Sequence, residues 1–158
     1  MRDLLELRQS EAPGPAPQRA TGLFHTAFLY PTRGQLGAAL LRVASERAAF
    51  SGASDHLVSE ALYLDDPDGI GVEIYRDRPR EEWPPPRPGD KVFMTTEPLD
   101  AEGVLATAEG DLPDAAAGTD VGHVHFKVAD VEQAVAFWTQ EVGMDLMARY
   151  AARLMETR

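Results

Sequence analysis

Two stretches of this chain, far apart in the sequence, follow the same pattern. Residues 25–32 read His-Thr-Ala-Phe-Leu-Tyr-Pro-Thr, and residues 123–130 read His-Val-His-Phe-Lys-Val-Ala-Asp. Each stretch alternates like a short strand, has Phe at its fourth position and ends on a residue that favours a helix N-cap. A Gln follows three residues after each candidate cap, as in a capping box. This internal repeat predicts a strand followed by a helix in each copy.

The first copy of the repeat extends into a complete module over residues 22–77. After its predicted helix, residues 57–64 alternate like a strand, residues 66–69 read Asp-Pro-Asp-Gly, and residues 71–76 again have the composition of a strand. Asp, Pro and Gly in this order are typical of a tight turn between two antiparallel strands. The first copy therefore predicts a β-α-β-β-β module.

The second copy, over residues 121–158, ends one strand earlier and predicts only β-α-β-β. Residues 1–8 can supply its last strand, because Glu6 and its apolar neighbours resemble Glu73 and the strand around it. We therefore predict an α+β fold of two paired β-α-β-β-β modules that form a cupped sheet and are circularly permuted. Residues 78–120 are expected to form a linker with a short helical element. A strand exchanged between two chains would satisfy the same sheet edge, so a homodimer is expected.

The composition narrows the partners and the available chemistry. The chain has 26 Asp and Glu against 15 Lys and Arg, a net charge of −11, which repels phosphate backbones and anionic headgroups. We therefore expect no nucleic-acid or membrane partner. Because the sequence contains no Cys, any metal ligand must be His, Asp or Glu. The lack of an apolar run of about 18 residues predicts a cytoplasmic protein.

The first histidine of each repeated strand occupies a corresponding face. His25 lies on the face opposite Phe24 and Phe28, which are expected to meet the helix, and His123 holds the same position in its strand. In a paired arrangement both imidazoles would point into the cup, where Glu73 can join them. Two imidazoles and one carboxylate form a facial triad that suits Fe(II) or Mn(II) and leaves coordination positions open. A core residue is the commoner interpretation of a lone His, but equivalent positions in a repeat favour a metal site.

One segment of the first copy resembles a known signature. Residues 56–73 read His-Leu-Val-Ser-Glu-Ala-Leu-Tyr-Leu-Asp-Asp-Pro-Asp-Gly-Ile-Gly-Val-Glu. This ordered string of His, Tyr, Asp, Pro, Gly and Glu resembles the signature of extradiol ring-cleaving dioxygenases in the vicinal oxygen chelate superfamily, which also contains glyoxalases and bleomycin resistance proteins. Ser54 departs from the usual choice two residues before the His. The wider stretch 22–83 is similar to catechol-2,3-dioxygenase-like proteins.

The resemblance implies a metal-dependent dioxygenase that cleaves the ring of a small aromatic diol. It makes His25, Glu73 and His123 the metal ligands, and it places His56 and Tyr63 beside the substrate as candidate catalytic residues. Fe(II) is the metal that it implies first, with Mn(II), Zn and Ni as alternatives. Independently, a Tyr hydroxyl and an imidazole near a substrate can stabilise developing oxygen charge and move protons. Packing of a surface His and a strand Tyr is the alternative interpretation of His56 and Tyr63.

Two other functions stay open at the level of the sequence. A glyoxalase-like lyase or isomerase would hold its metal with four ligands, so Glu6 would join the triad. A carboxylate at position 6 that faces solvent would favour the triad instead. A non-catalytic module that binds small molecules, as bleomycin resistance proteins do, is the third candidate. His125 either lines the pocket or replaces His123 as a ligand, and its alignment with Ala27 in the repeat favours the lining role.

Overall fold

The computed structural model of the chain describes residues 4–9, 20–46, 48–110 and 117–149. In chain order its elements are β1 (Gly22–Leu29), α1 (Arg33–Ser45), β2 (Phe50–Asp55), β3 (Ser59–Asp65), β4 (Gly71–Asp77), a 3-10 turn (Arg80–Glu82), α2 (Ala101–Ala106), β5 (Asp120–Lys127), α3 (Val131–Ala136) and a π-helical turn (Phe137–Glu141). One open five-stranded sheet carries a few short helices, which confirms the predicted fold class. Within these ranges no helix is both long and apolar enough to span a membrane.

The first copy of the repeat forms a β-α-β-β-β module. The strand order of the sheet is β2-β3-β4-β1-β5, in which β1 and β4 are parallel and the β2–β3 and β3–β4 pairs are antiparallel. The crossover that this parallel pair requires consists of α1 together with β2 and β3. In this register Glu73 of β4 lies between Tyr63 of β3 and Ala27 of β1. The three residues therefore form one row across the sheet.

The second copy joins the first through an antiparallel pair of β1 and β5. His25 lies opposite His125, and Ala27 lies opposite His123. The register shifts twice along this pair, once between Leu23 and His25 and once between Ala27 and Phe28. The two shifts leave Phe24 of β1 and Gly122 of β5 as the extra residues of β-bulges, which change the direction of nearby side chains.

Both helices of the repeat begin at the predicted caps. The side chain of Thr32 accepts a hydrogen bond from the backbone N–H of Gln35 at 3.1 Å, and Asp130 accepts one from Gln133 at 3.0 Å. Each bond satisfies one of the backbone donors that a helix leaves free in its first turn. The prediction of helix starts from the repeat is confirmed.

The core of the first copy lies between the sheet and two helices. Leu36 and Ala39 of α1 and Val104 of α2 pack on Leu62 of β3 and on Tyr30. Leu36, Leu62 and Val104 are fully buried. The short helix α2 belongs to the segment predicted as a linker, so this segment contributes directly to the core.

A buried carboxylate lies on the same side of the sheet as this core. Glu60 is 1% exposed and accepts hydrogen bonds from the guanidinium groups of Arg33 and Arg76, at 3.0 Å and 2.7 Å. Burial raises the pKa of Glu60, but the hydrogen bonds from these arginines outweigh it, so the pKa lies below its ordinary value. Arg78 also approaches this carboxylate, at 3.3 Å. Glu60 is therefore an ionised group held by three arginines.

The end of the second copy differs from the prediction. Residues 143–149 form no strand, so the strand expected after the second helix is wrong over this range, and residues 150–158 lie outside the described residues. Residues 4–9 also form no strand, and Leu5 and Leu7 are 59% and 83% exposed. A short alternating run is stable as a strand only against a partner edge, and residues 4–9 have none among the described residues. Closure of the module by strand exchange between two chains stays a prediction.

Candidate metal centre

Three adjacent strands bring His25, Glu73 and His123 to one point. β1 lies between β4 and β5, and its Ala27 is opposite Glu73 on one side and His123 on the other. Ala27 is fully buried, and its single methyl group leaves room for the longer side chains to converge. Nε2 of His25 lies 2.9 Å from Oε2 of Glu73 and 3.4 Å from Nε2 of His123. Nε2 of His123 lies 3.2 Å from the same carboxylate oxygen.

These three side chains fit a divalent ion in type and in spacing. Two ligands at right angles around an ion with bonds of about 2.1 Å lie about 3 Å apart, close to the distances between these atoms. Glu73 is 3% exposed, and a carboxylate buried to this extent requires a compensating charge. In the described part of the chain this is the one group of three His, Asp or Glu side chains with ligand atoms within 4.8 Å of one another. The chain therefore carries a His-Glu-His group suited to a divalent metal.

The protonation state of His25 also suits a ligand. Burial lowers the pKa of His25, the Glu73 carboxylate opposes this shift, and the neighbouring His125 and His123 add to it. The imidazole is therefore neutral near pH 7. Metal binding requires this neutral form, because the ligand nitrogen must have a free lone pair.

His123 is the more exposed imidazole of the group and is supported by Tyr75. Its side chain is 43% exposed, and its ring packs on the ring of Tyr75 with centroids 5.0 Å apart. The Tyr75 hydroxyl occupies the space beside Gly122, where a Cβ atom would lie 2.0 Å from the Tyr75 oxygen. Burial and the carboxylates of Asp77 and Glu73 raise the pKa of Tyr75 to about 12, so the hydroxyl stays protonated. The bulge at Gly122 therefore lets Tyr75 of β4 support His123 of β5.

A hydrogen-bonded pair, His56 and Tyr63, lies next to the His-Glu-His group. Nδ1 of His56 is 2.6 Å from the carbonyl oxygen of Thr95, and because a carbonyl only accepts, Nδ1 carries the proton. Nε2 then has a lone pair and accepts from the Tyr63 hydroxyl at 2.7 Å. Burial and the nearby Glu73 carboxylate raise the pKa of Tyr63, so this hydroxyl also stays protonated. The rings of Tyr63 and His25 lie 6.0 Å apart, which joins the two groups.

The His-Glu-His group and the His56–Tyr63 pair line one cavity of about 710 Å³. This volume is in the range of small-molecule sites. Apolar side chains form much of the remaining wall, namely Phe24, Leu64, Val72 and Met94. The cavity therefore combines the His-Glu-His group, a proton-transfer pair and an apolar wall that suits an aromatic ring.

The sequence leaves the roles of His125 and Glu6 open, and the structure places these two residues differently. His125 lines the cavity but is not part of the three-residue group. Its ring makes an edge contact with the ring of His25, at 4.9 Å between centroids. The Glu6 side chain is 71% exposed and accepts a hydrogen bond from Arg8 at 2.7 Å. Glu6 thus faces solvent, and the structure does not bring it to the other three.

Several residues of this cavity are not predicted by the sequence. Alternation predicts Phe24 on the helix side of β1, but the bulge at this residue turns it into the cavity wall. Met94 and Thr95 lie in the segment between α2 and the first module, and their sequence has no periodicity that predicts a site. The chain folds this segment back by pairing Asp55 with Glu97 in an isolated bridge.

The fold and the site together define a class of proteins in which one open sheet carries a His-Glu-His group suited to a divalent metal. A catechol-2,3-dioxygenase of Bacillus subtilis (strain 168) is 45% identical to this chain over 155 residues. The match covers 95% of this chain and 53% of that protein, so the chain spans about half the length of this relative. No family model matches the chain, and no solved structure gives a significant match. This similarity supports the resemblance of the chain to the vicinal oxygen chelate superfamily.

Proposed function

We propose that this chain forms the active site of an Fe(II)-dependent extradiol dioxygenase that cleaves the ring of a catechol-like aromatic diol. The observation that carries the proposal is the convergence of His25, Glu73 and His123 within 3.4 Å of one another. A set of two imidazoles and one carboxylate is typical of non-haem Fe(II) oxygenases, because it leaves coordination positions open. The name of the relative points to the same reaction.

His25, His123 and Glu73 would hold the ion, with two neutral donors and one negative charge. When bound, a divalent ion supplies Lewis-acid polarisation of the two diol oxygens and, as Fe(II), an electron for dioxygen chemistry. Mn(II) suits the same ligands, and Zn and Ni also bind imidazole. The buried carboxylate of Glu73, which lines the cavity, would offset part of the charge of the ion.

His56 and Tyr63 would handle the protons of the reaction. His56 Nε2, which accepts from Tyr63, can take the Tyr63 proton while the Tyr63 oxygen takes one from a diol hydroxyl, and Nδ1 stays fixed on the Thr95 carbonyl. Once Nε2 is protonated, the Tyr63 hydroxyl proton is available to donate a hydrogen bond to a substrate oxygen on which negative charge develops. Proton transfer by a positioned group contributes about 10²–10⁴-fold to a rate.

Metal analysis and a ring-cleavage assay test this proposal together. We expect the purified chain to bind one equivalent of Fe(II) and, in air with catechol, to form a yellow ring-cleavage product. Glu73→Ala should lose both the metal and the product. His56→Ala should keep the metal and lower the rate by about 10²–10⁴-fold. His125→Ala, which changes a cavity residue outside the triad, serves as the control that keeps the metal.

The alternative functions give different results in the same experiment. Metal in the wild type without any product from substituted or unsubstituted catechols would favour a non-catalytic binding module. An isomerase with a fourth ligand from Glu6 requires Glu6→Gln to weaken metal binding. Because Glu6 is exposed and bonded to Arg8, we expect this substitution to leave metal binding unchanged.

We also propose that two copies of the chain associate. None of the residues 120–149 is buried, although Val124, Phe126 and Val142 are apolar and 39–47% exposed. β5 is also an edge strand of the sheet as far as the structure describes it. An apolar surface beside an open edge favours contact with another strand or sheet. Sedimentation velocity should give a dimer, and a monomer at all concentrations would contradict this proposal.

A further inference from the structure

The turn between β2 and β3 contains a strained residue next to the candidate proton acceptor. Leu57 has a φ of 67°, and among the residues that the structure describes it is the one non-glycine residue with a positive φ. This left-handed conformation is unfavourable for a residue with a Cβ atom, and it persists only where surrounding contacts hold it. His56 immediately precedes Leu57. The strain therefore lies beside a residue whose orientation matters for the proposed chemistry.

Two charged residues hold this turn from outside the cavity. Oδ1 of Asp55 accepts a hydrogen bond from the backbone N–H of Leu57 at 2.8 Å. Oδ2 of Asp55 accepts one from the Arg78 guanidinium at 2.6 Å, and the backbone N–H of Arg78 donates to the carbonyl of Val58 at 2.7 Å. Arg78 is itself fixed by the buried carboxylate of Glu60. We call the Asp55–Arg78 pair, with its bonds to the turn, the latch.

The latch does not belong to the cavity wall. Asp55, Leu57 and Arg78 line a separate small depression, whereas the ring of His56 lies in the cavity between Thr95 and Tyr63. A direct role of the latch in binding substrate is therefore excluded by its position. Its contact with the site runs through the backbone of residues 55–58.

We propose that the latch keeps Leu57 in the left-handed conformation and thereby holds the His56 imidazole in one tautomer, with Nε2 as the acceptor. Asp55 and Arg78 are thus positioning residues for His56. The consequence for turnover rests on the proposed function, but the orientation of the ring does not. If the latch is lost, Leu57 relaxes to a negative φ, the turn changes its direction, and His56 leaves the Thr95 carbonyl.

Nitrogen NMR of the histidine side chains in the metal-free protein tests the proposal. At alkaline pH, where the ring is neutral, the wild type should show the Nδ1–H tautomer of His56. Asp55→Ala should show a mixture of both tautomers. The double variant Asp55→Ala/Leu57→Asn should restore the single tautomer, because Asn adopts the left-handed conformation at a lower cost than Leu. A purely structural role of Asp55 does not predict this rescue.

The other hairpin of the module offers a matched control. Asp66 accepts a hydrogen bond from the backbone of Asp68 at 2.9 Å, in the same spacing as Asp55 and Leu57, but the positive φ of that turn belongs to Gly69. Asp66→Ala should therefore leave the His56 signal unchanged. With Fe(II) and a diol, Asp55→Ala should lower kcat by about tenfold to a hundredfold with little change in KM. The double variant should recover most of this loss.

The possible results separate the latch from the proposed function. A single Nδ1–H tautomer in Asp55→Ala would overturn the latch proposal, as would a folded double variant with mixed tautomers. If Asp55→Ala does not fold, Asp55→Asn keeps an acceptor for Leu57 and loses the ion pair, and its tautomer ratio decides instead. Failure of the wild type to cleave any diol would overturn the proposed function and leave the NMR result valid.

Discussion

The two copies of the repeat begin alike and end differently. In both, a strand that opens with His leads to a capped helix, with Thr32 and Asp130 as the caps. The first copy continues into three more strands and buries Leu36 and Leu62 completely. Over residues 120–149 the second copy has no buried residue. The repeat therefore determines local structure, whereas burial depends on the strands that follow.

The largest expected contrast is between two arginine–carboxylate pairs. Glu60 is 1% exposed and accepts from Arg33 and Arg76, whereas the Glu132 side chain is 72% exposed and pairs with Arg149. Glu60→Gln should lower the free energy of unfolding by about 3–5 kcal/mol, because it leaves partly buried arginines without a counter-charge. Glu132→Gln should leave the urea midpoint unchanged, since exposed pairs contribute little. Equal shifts of the urea midpoint in Glu60→Gln and Glu132→Gln would contradict this difference between the buried and the exposed pair.

The ionisation of Glu60 also makes the stability of the protein depend on pH. Although burial raises the pKa of Glu60, the bonds from Arg33 and Arg76 hold it below the ordinary value of 4.5. A carboxylate with a lowered folded-state pKa contributes its full stability above the unfolded-state value, and this contribution is lost as pH falls through the folded-state value. Urea midpoints of the wild type should therefore fall below about pH 4.5. Glu60→Gln should show a shallower fall, and identical pH profiles would contradict this assignment.

A second contrast concerns apolar side chains on the two helices of the repeat. Leu36 of α1 is fully buried, whereas Val131 of α3 is 61% exposed. Leu36→Ala should cost about 2–5 kcal/mol of unfolding free energy, because it leaves a cavity in the core. Val131→Ala should change it by less than about 0.5 kcal/mol. Thermal or urea unfolding measures both, and a large loss in Val131→Ala would mean that a partner covers the second copy.

The junction of the two copies can be tested at Gly122. A Cβ atom there would lie 2.0 Å from the hydroxyl of Tyr75, whereas one at Gly52 would meet nothing within 4 Å. Gly122→Ala should therefore displace Tyr75 or β5 and weaken metal binding by about 10- to 100-fold, as loss of a supporting residue does. Calorimetric titration with Co(II) measures this affinity. Gly52→Ala should bind Co(II) like the wild type. Equal Co(II) affinity of the two variants would mean that Tyr75 does not support the metal site.

The smallest expected contrast is between the two helix caps. Thr32→Ala should cost about 1 kcal/mol of unfolding free energy, because α1 belongs to the core. Asp130→Ala removes the same kind of bond from a helix without buried residues, so most of its effect should be local fraying of α3. Circular dichroism of the unfolding transition measures the first effect, and amide exchange of residues 131–136 measures the second. A larger global loss in Asp130→Ala would contradict the comparison.

Much of the fold and of the site follows from local patterns in the sequence. The caps, the first module and the convergence of His25, Glu73 and His123 could be predicted, because alternation and repeat symmetry determine which face each side chain occupies. The strand predicted at residues 1–8 is wrong over residues 4–8, the part of that range that the structure describes, for a related reason. Alternation makes a segment suitable for a strand, but only an available sheet edge makes the strand stable.

Other site features leave no local signal. A left-handed residue is usually indicated by Gly or Asn, so nothing in the sequence predicts the conformation of Leu57. The bulge that brings Phe24 into the cavity depends on its pairing with β5. The carbonyl of Thr95 that orients His56 belongs to a segment without periodicity. Each of these features arises from contacts between segments that are distant in the sequence.

The antiparallel pairing of β1 with β5 has a consequence for the geometry of the centre. Thr26 lies opposite Val124, its own counterpart in the repeat, so an approximate two-fold axis passes between these two residues and relates the two imidazole ligands. The carboxylate breaks this symmetry, because Glu73 has no counterpart in the described residues of the second copy. The first copy therefore contributes one imidazole and the carboxylate of the group, whereas the second copy contributes one imidazole whose side chain is 43% exposed.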